Sequence, residues 1–99
     1  MKVWMKTQKV TQDSREEVIV AICDENLLGK EFSFFKISEH FFKGKLVDIE
    51  TAIKELEKAT IANLVGKNII NKAIEKGKIN KDSVKEIQGV LHAQIFLMS

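Results

Sequence analysis

Three residue types in this sequence could together support covalent catalysis: a thiol, an imidazole and a side-chain amide. Cys23 could act as the nucleophile, His92 as its base, and Asn63 as the group that orients the base. Cys23 ends an apolar run, however, and a thiol in such a place typically behaves as a small buried hydrophobe with a raised pKa. A small thiol- or histidine-dependent hydrolase or transferase is therefore one hypothesis, and it requires these side chains to meet in the fold.

Several of the same residues could instead line a binding pocket. His92 and Gln94 fall on one face of a predicted strand, and Asn63 lies near the predicted start of a helix, where free backbone N–H groups favour anions. In the alternative interpretation, Asn63 and His92 form hydrogen bonds with the backbone of nearby loops and bind no ligand. The candidate polar pocket consists of Cys23, Asp24, Lys30, Asn63, His92 and Gln94.

Positive charge is concentrated in residues 61–85, which hold six lysines and two acidic residues, whereas the whole chain carries a net charge of +2. Such a patch can contact phosphates. Arg15 is the single arginine, which disfavours base-specific reading of DNA through the arginine fork. We predict a non-enzymatic module that contacts RNA or a ribonucleoprotein through a helix face bearing Lys67, Lys72, Lys76 and Lys78; the alternative is an ordinary solvated face.

Four phenylalanines offer a further possibility. They could form a stacking platform for single-stranded bases beside Lys36, Lys43 and Lys45, or they could belong to the core. If some stay exposed, they would form an interface in a larger assembly, where the chain would be a structural subunit. Separately, an open sheet face and the small size of the chain favour a homodimer. The four are Phe34, Phe35, Phe41 and Phe42.

Other classes of function are excluded by composition. One cysteine and two histidines provide too few ligands for a closed Cys/His zinc site, and the lysine after Gly29 lacks the glycine spacing of a P-loop. We therefore expect neither a metal ion nor a cofactor. No apolar run reaches the roughly 18 residues of a membrane helix, so we expect a cytoplasmic protein without membrane contact.

Hydrophobic periodicity predicts strands in both the first and the last third of the chain. Residues 3–10 alternate, residues 17–23 form a continuous apolar run typical of a central strand, and residues 32–38 form a third strand. Between these, Asp24 could cap a short helical turn ended by Gly29. Residues 39–45 form a loop or single turn with inward aromatics, and strands follow at residues 84–88 and 91–98.

Hydrophobic periodicity also predicts helices in the middle of the chain. Ile49, Ala52, Ile53 and Leu56 have the spacing of an amphipathic helix. Residues 60–66 are either a buried strand or the start of a second helix; we favour a helix from Thr60 to about residue 76, because a strand would leave almost no connection after the first helix.

The order β-β-β-α-α-β-β predicts one α+β domain over residues 1–99. An antiparallel or mixed sheet of about five strands has two helices on one face. Single-domain size agrees with 99 residues and 44% hydrophobic content.

Five segments of the sequence resemble an archaeal family of uncharacterised small proteins, domain-of-unknown-function family 424. The resemblance spans nearly the whole chain and is most specific at Ala-Asn-Leu-Val-Gly and His-Ala-Gln. It implies a small single-domain archaeal protein, and the family offers no established activity that could be assigned to this chain. Leu91 stands where the family pattern has proline before the histidine, and residues 42–43 depart from an aromatic-then-glycine stretch. The segments are residues 23–30, 46–48, 59–66, 89–90 and 92–96.

Overall fold

The computed structural model describes residues 1–33 and 35–96 and contains one six-stranded sheet. Its strands are β1 (Lys2–Gln12), β2 (Arg15–Asp24), β3 (Lys45–Asp48), β4 (Ile61–Val65), β5 (Val84–Ile87) and β6 (Val90–Phe96). Its α-helices are α1 (Glu39–Phe42), α2 (Ile49–Glu55) and α3 (Lys67–Glu75), and 3-10 helices span Glu25–Leu27, Leu56–Lys58 and Lys81–Ser83. The predicted α+β class is confirmed, with six strands rather than about five.

The strand order across the sheet is β3-β1-β2-β4-β6-β5, and the sheet is mixed. Strands β2 and β4 pair in parallel, and every other neighbouring pair is antiparallel. Residues 20–23 of β2 are almost inaccessible to solvent, because both faces of this central strand are covered. This confirms the reading of the apolar run as a central strand.

Helices α2 and α3 pack on the same face of the sheet, as predicted. Ile53 of α2 and Ile69 of α3 lie in one buried cluster with Val20, Ile22 and Leu64 of the central strands. Each fully buried side chain of this size contributes roughly 1.5–3 kcal/mol through removal of apolar surface from water. The spacing of apolar residues thus fixes which side of each helix faces the sheet.

Residues 25–44, here called the covering segment, cross the opposite face of the sheet. They place Ile37 and Phe42 in a second buried cluster with Cys23 and Val65. The predicted strand at residues 32–38 is wrong: among the residues that the structure describes here, pairing is limited to an isolated bridge between Glu31 and Lys36. Its apolar side chains pack down onto the sheet, so its backbone does not extend a sheet edge.

Residues 60–66 are the other departure, because the predicted helix start is strand β4. Helix α2 ends at Glu55 and tightens into a 3-10 turn, which supplies the connection that a strand here requires. Thr60 then attaches to β2: its backbone N–H donates to the Val18 carbonyl at 2.8 Å, and its Oγ1 accepts from the Val18 N–H at 2.8 Å. These bonds favour pairing with β2 over a helical turn.

The last two strands form a hairpin at the edge of the sheet. Gln88 and Gly89 form its two-residue turn, with φ angles of 51° and 82°. Both residues have the positive φ that tight hairpins favour. This turn sets a register in which Lys85 lies opposite His92. The end of the predicted strand, residues 97–98, lies outside the described residues. Within residues 1–33 and 35–96, no helix has the length and apolar character needed to cross a bilayer.

Candidate binding site

A cavity of about 460 Å³ opens where the covering segment ends and leaves part of the sheet face bare. A volume of this size falls within the range of roughly 300–1,000 Å³ typical of small-molecule sites. Strands β4, β5 and β6 provide one side, and the covering segment provides the other. The described residues that line it are Phe35, Lys36, Ile37, Phe41, Phe42, Asn63, Leu64, Val65, Ser83, Lys85, His92, Ala93 and Gln94.

Strand pairing brings three of the six predicted pocket residues together. Asn63 lies directly opposite Gln94, and His92 lies opposite Val65, two residues further along the same face. Side chains of directly opposed residues have Cβ atoms roughly 4.5–5.5 Å apart, and diagonal neighbours lie about 7–8 Å apart. Asn63, Gln94 and His92 therefore form one polar group on the sheet face.

The imidazole of His92 lies at the inner end of this group. Its ring contacts Phe35 edge-on, with centroids 4.8 Å apart and an interplanar angle of 81°. The Nε2 atom of His92 is buried and has no hydrogen-bond partner among the described residues. Burial lowers the pKa of His92, so the ring is neutral at pH 7.

Aromatic rings form much of the side contributed by the covering segment. Phe35 is stacked on Phe32 with centroids 4.6 Å apart, and Phe41 meets Phe42 edge-on at 5.0 Å. Both Phe35 and Phe41 are half-buried, so each retains surface toward the cavity. Phe34, the fourth member of the predicted platform, lies outside the described residues.

The charged side chains around the cavity are all basic. Lys36 and Lys85 line it, and none of its described lining residues is a carboxylate. Lys36 also forms an exposed ion pair with Glu31 at 3.6 Å, whereas no carboxylate of the described residues lies within 4 Å of Lys85. The cavity is therefore electropositive and favours an anionic group near Lys85.

Two further lysines of the predicted stacking platform lie elsewhere. Lys43 is placed 5.9 Å from the Trp4 ring centroid and pairs with Glu39 at 3.7 Å. Lys45 begins β3, on the opposite edge of the sheet from β5. Of the three lysines predicted beside the platform, only Lys36 reaches the cavity.

Cys23 is separated from His92 by the whole width of β4. It lies opposite Val65, which lies opposite His92, so the backbones of the two residues are roughly 10 Å apart. The thiol is fully buried beneath the covering segment, and burial raises its pKa to about 12. This geometry does not form the nucleophile–base contact of the thiol-enzyme hypothesis.

Asp24 has a structural role at the start of α3 and does not line the cavity. Its two carboxylate oxygens accept from the backbone N–H groups of Asn68 and Ile69, each at 2.9 Å. Burial raises the pKa of Asp24, while these two N–H groups and nearby Lys67 oppose that rise. The carboxylate therefore caps α3, and the predicted cap on the short turn after β2 is wrong, because the 3-10 turn there receives no side-chain hydrogen bond from Asp24.

Lys30 is exposed on the covering segment and lies outside the lining of the cavity. Its backbone carbonyl accepts from the N–H of Ile37 at 2.9 Å, which holds the segment folded back on itself. The six-residue pocket predicted from sequence is thus divided: Asn63, His92 and Gln94 line the cavity, whereas Cys23, Asp24 and Lys30 do not.

The four lysines of the predicted helix face differ in how free their charges are. Lys72 pairs with Glu50 at 2.9 Å and Glu75 at 3.8 Å, and Lys78 pairs with Glu57 at 3.2 Å. The Glu50 contact raises the pKa of Lys72. Lys67 and Lys76 are exposed and form no salt bridge with a described residue. Two of the four cations are therefore already balanced by carboxylates.

Ser83 and Lys85 are cavity residues that the sequence reasoning missed. A signal for Lys85 was present, because a two-residue turn at Gln88–Gly89 places Lys85 opposite His92. No three His, Cys, Asp or Glu side chains of the described part of the chain are grouped so that they could hold a metal ion.

Comparison with known proteins adds a family and a structural relative. The model of a family described as "Protein of unknown function (DUF424)" matches residues 12–98. A crystal structure of an uncharacterised conserved protein from Methanopyrus kandleri is similar over 97% of this chain and 91% of that chain, with 28% sequence identity and a TM-score of 0.80. None of the curated proteins matches this sequence.

Proposed function

We propose that the chain, which belongs to the DUF424 family of proteins of unknown function, is a non-enzymatic binding domain for single-stranded RNA. The observation that carries this proposal is the cavity on the sheet face, where lysines, amides and aromatic rings converge without a described carboxylate in its lining. RNA offers the two kinds of group that such a surface binds, namely flat bases and phosphates.

The aromatic part of the cavity fits an unpaired base. Phe35 is held in place by its stack on Phe32 and its edge contact with His92. A ring that is already fixed loses little side-chain entropy when a base packs on it. Double-stranded RNA keeps its bases stacked on one another, so a cavity of this kind favours single strands.

The basic part of the cavity fits a phosphate. Lys85 is exposed, and the described residues place no carboxylate within 4 Å of it, so its charge is available to a ligand. Lys36 lies on the opposite side of the cavity and is only weakly engaged by exposed Glu31. An RNA strand with one base between Lys36 and Lys85 would bring its phosphates close enough to contact these lysines.

The α3 face remains a second candidate for phosphate contacts. Lys67 and Lys76 are its exposed lysines without described ion pairs, and they lie on the helix side of the sheet, away from the cavity. Contacts there would be independent of Lys85. The double variant Lys67→Gln/Lys76→Gln tests this surface in the RNA titration: weaker RNA binding would assign phosphate contacts to α3 as well, and unchanged binding would leave the cavity as the contact surface.

The test is titration of a fluorescently labelled single-stranded 12-mer RNA at about 50 and 200 mM salt. We expect binding to weaken as salt increases. We expect Lys85→Gln to weaken RNA binding and to make the negative slope of log affinity against log salt shallower by about 0.7, the value for one contact to a single-stranded phosphate. Lys81→Gln is the matched control, because Lys81 is exposed nearby but does not line the cavity. Absence of binding at both salt concentrations would overturn the proposal.

A further inference from the structure

We infer that the outer edge of β1 binds an extended, acidic segment of a partner protein, which adds a strand to the sheet beside residues 7–11. The observation behind this is a basic strand edge without a partner: β1 pairs with β3 only over residues 2–5, and no other described strand lies on that side. Strand β2 separates this edge from the strands that line the cavity, so the inference goes beyond the proposed RNA binding.

The tight turn between β1 and β2 determines which backbone groups of β1 face outward. Asp13 and Ser14 form this turn with φ angles of 53° and 65°, as in type I′, and Gln12 lies opposite Arg15. In such a hairpin the two flanking residues form a hydrogen-bonded pair, and hydrogen-bonded pairs alternate along the ladder. Even-numbered residues of β1 therefore bond to β2, and the N–H and C=O groups of odd-numbered residues point outward. Beyond the end of β3, these odd-numbered residues are Thr7, Lys9 and Thr11.

The free part of the edge is suited to pairing with another strand. On the outer side of β1, the Met1 carbonyl accepts from the N–H of Ile49 at 2.9 Å, which agrees with the odd-numbered alternation. The register with β2 runs without a bulge and the chain has no proline, so two devices that commonly protect sheet edges are absent from β1. The edge offers both donors and acceptors. An extended polypeptide satisfies both, whereas an RNA phosphate offers acceptors only.

Charge along the edge indicates what kind of polypeptide fits. Residues 2–12 contain lysines and no acidic residue. Lys9 is exposed, Lys45 begins β3 where an incoming antiparallel strand would end, and neither forms a salt bridge with a described residue. The acidic residues of the hairpin strands, Glu16 and Glu17, lie on β2. Opposite charges on neighbouring strands stabilise pairing and like charges oppose it, so an acidic strand fits this edge better than a second copy of β1 does.

The experiment is an NMR titration of ¹⁵N-labelled protein with two synthetic peptides that have blocked ends. One alternates threonine with glutamate over seven residues, and the other has lysine in place of glutamate. We expect the glutamate peptide to bind about fivefold more tightly, and we expect Lys9→Glu to reverse this preference. Lys81→Glu is the matched control, because it makes the same charge change at an exposed residue of another element and should keep the wild-type preference.

Amide exchange distinguishes strand addition from simple charge attraction. With the glutamate peptide bound, the amides of residues 7, 9 and 11 should exchange at least tenfold more slowly, whereas residues 8 and 10, which already bond to β2, should change little. Failure of this peptide to bind, or equal slowing of odd and even amides, would overturn the inference. Slowing of the same three amides by oligo(U), or in a peptide-free homodimer, would overturn the choice of an acidic polypeptide. These outcomes do not depend on Lys85, so this inference and the proposed function can fail separately.

Discussion

Individual residues of the site differ in how far their surroundings have changed their chemistry. Cys23 and His92 have the residue types of a catalytic pair. Burial raises the pKa of the Cys23 thiol and lowers the pKa of His92, so the uncharged form of each is favoured. A thiol with a pKa of about 12 holds almost no thiolate at pH 7, and the thiolate is the nucleophile. Burial thus makes the Cys23 thiol unreactive and favours the neutral form of the His92 imidazole.

The Cys23 thiol should therefore be inert in the folded protein. We expect iodoacetamide at pH 8 to leave it unmodified in native protein and to modify it fully in denaturant, because the side chain is inaccessible beneath the covering segment. Mass spectrometry of the alkylated protein measures both states. Rapid modification under native conditions would restore the thiol-enzyme hypothesis.

We expect His92 to make the stability of the protein depend on pH. Its pKa is lower in the folded state than the value of 6.5 that it has when exposed, so in the window just below pH 6.5 the unfolded chain binds the proton and the folded chain does not. The free energy of unfolding should thus decrease as the pH falls from 6.5 through this window. Urea denaturation at several pH values measures it.

The variant for this pH test is His92→Phe, which should remove the part of the decrease that His92 causes. Identical pH profiles for wild type and His92→Phe would show that the buried imidazole does not control stability in this range.

At the scale of elements, the junction of β2, β4 and α3 depends on one close approach. Gly66 precedes α3 with φ of +115°, and a Cβ at this position would lie 2.3 Å from Cγ of Asp24. Because the Asp24 carboxylate must reach the first N–H groups of α3, only glycine leaves room for it. The end of one strand is thereby tied to the start of a helix.

Gly66→Ala should destabilise the protein by about 3 kcal/mol or more, because φ of 115° with ψ of 147° strains an alanine by about 1–3 kcal/mol and the added Cβ also displaces a buried cap. Gly77→Ala is a matched control: its φ is +70°, but nothing lies within 4 Å of the added Cβ. We expect the control to cost only about 1 kcal/mol. Thermal or urea unfolding measures both, and equal effects would contradict the role of the Asp24 contact.

Elements with clear local patterns were predictable, and those decided by tertiary contacts were not. The apolar run of β2 and the spacing of α2 each specify one structure. Residues 60–66 fit either a helix or a strand locally, and the choice depends on Thr60 bonding to Val18, far away in sequence. Asn63 was placed in the site although its element was assigned wrongly, whereas Lys85 was missed because its position depends on the register of the final hairpin.

Across the whole molecule, the residues of the sheet that are most buried from solvent lie in the two parallel strands at its centre. Residues 19–23 of β2 and all of β4 have strands on both sides, and most of these residues are buried. β1, by contrast, pairs with β3 only over residues 2–5, so the rest of its outer edge has no strand partner in the described part of the chain. The strand order could not be predicted because it depends on pairings between segments distant in sequence.

Hydrogen exchange should reflect this arrangement. We expect the slowest amides in β2 and β4, since exposing them requires opening the whole sheet, and faster exchange at residues 6–12 of β1 and in the covering segment. Exchange followed by mass spectrometry resolves these segments. Uniform protection along β1 would indicate that its outer edge is covered in solution.

The covering segment starts and finishes beside the same strand. Asp24, just before it, lies opposite Val3 of β1, and Lys45, just after it, lies opposite Met5 on the other side of β1. Its ends are therefore roughly 12 Å apart, because two strand spacings across the sheet and two residues along β1 separate them. A chain excursion with such close ends can be lengthened, shortened or exchanged while the sheet keeps its register. Related proteins could thus acquire different ligands by changing this excursion on a constant sheet.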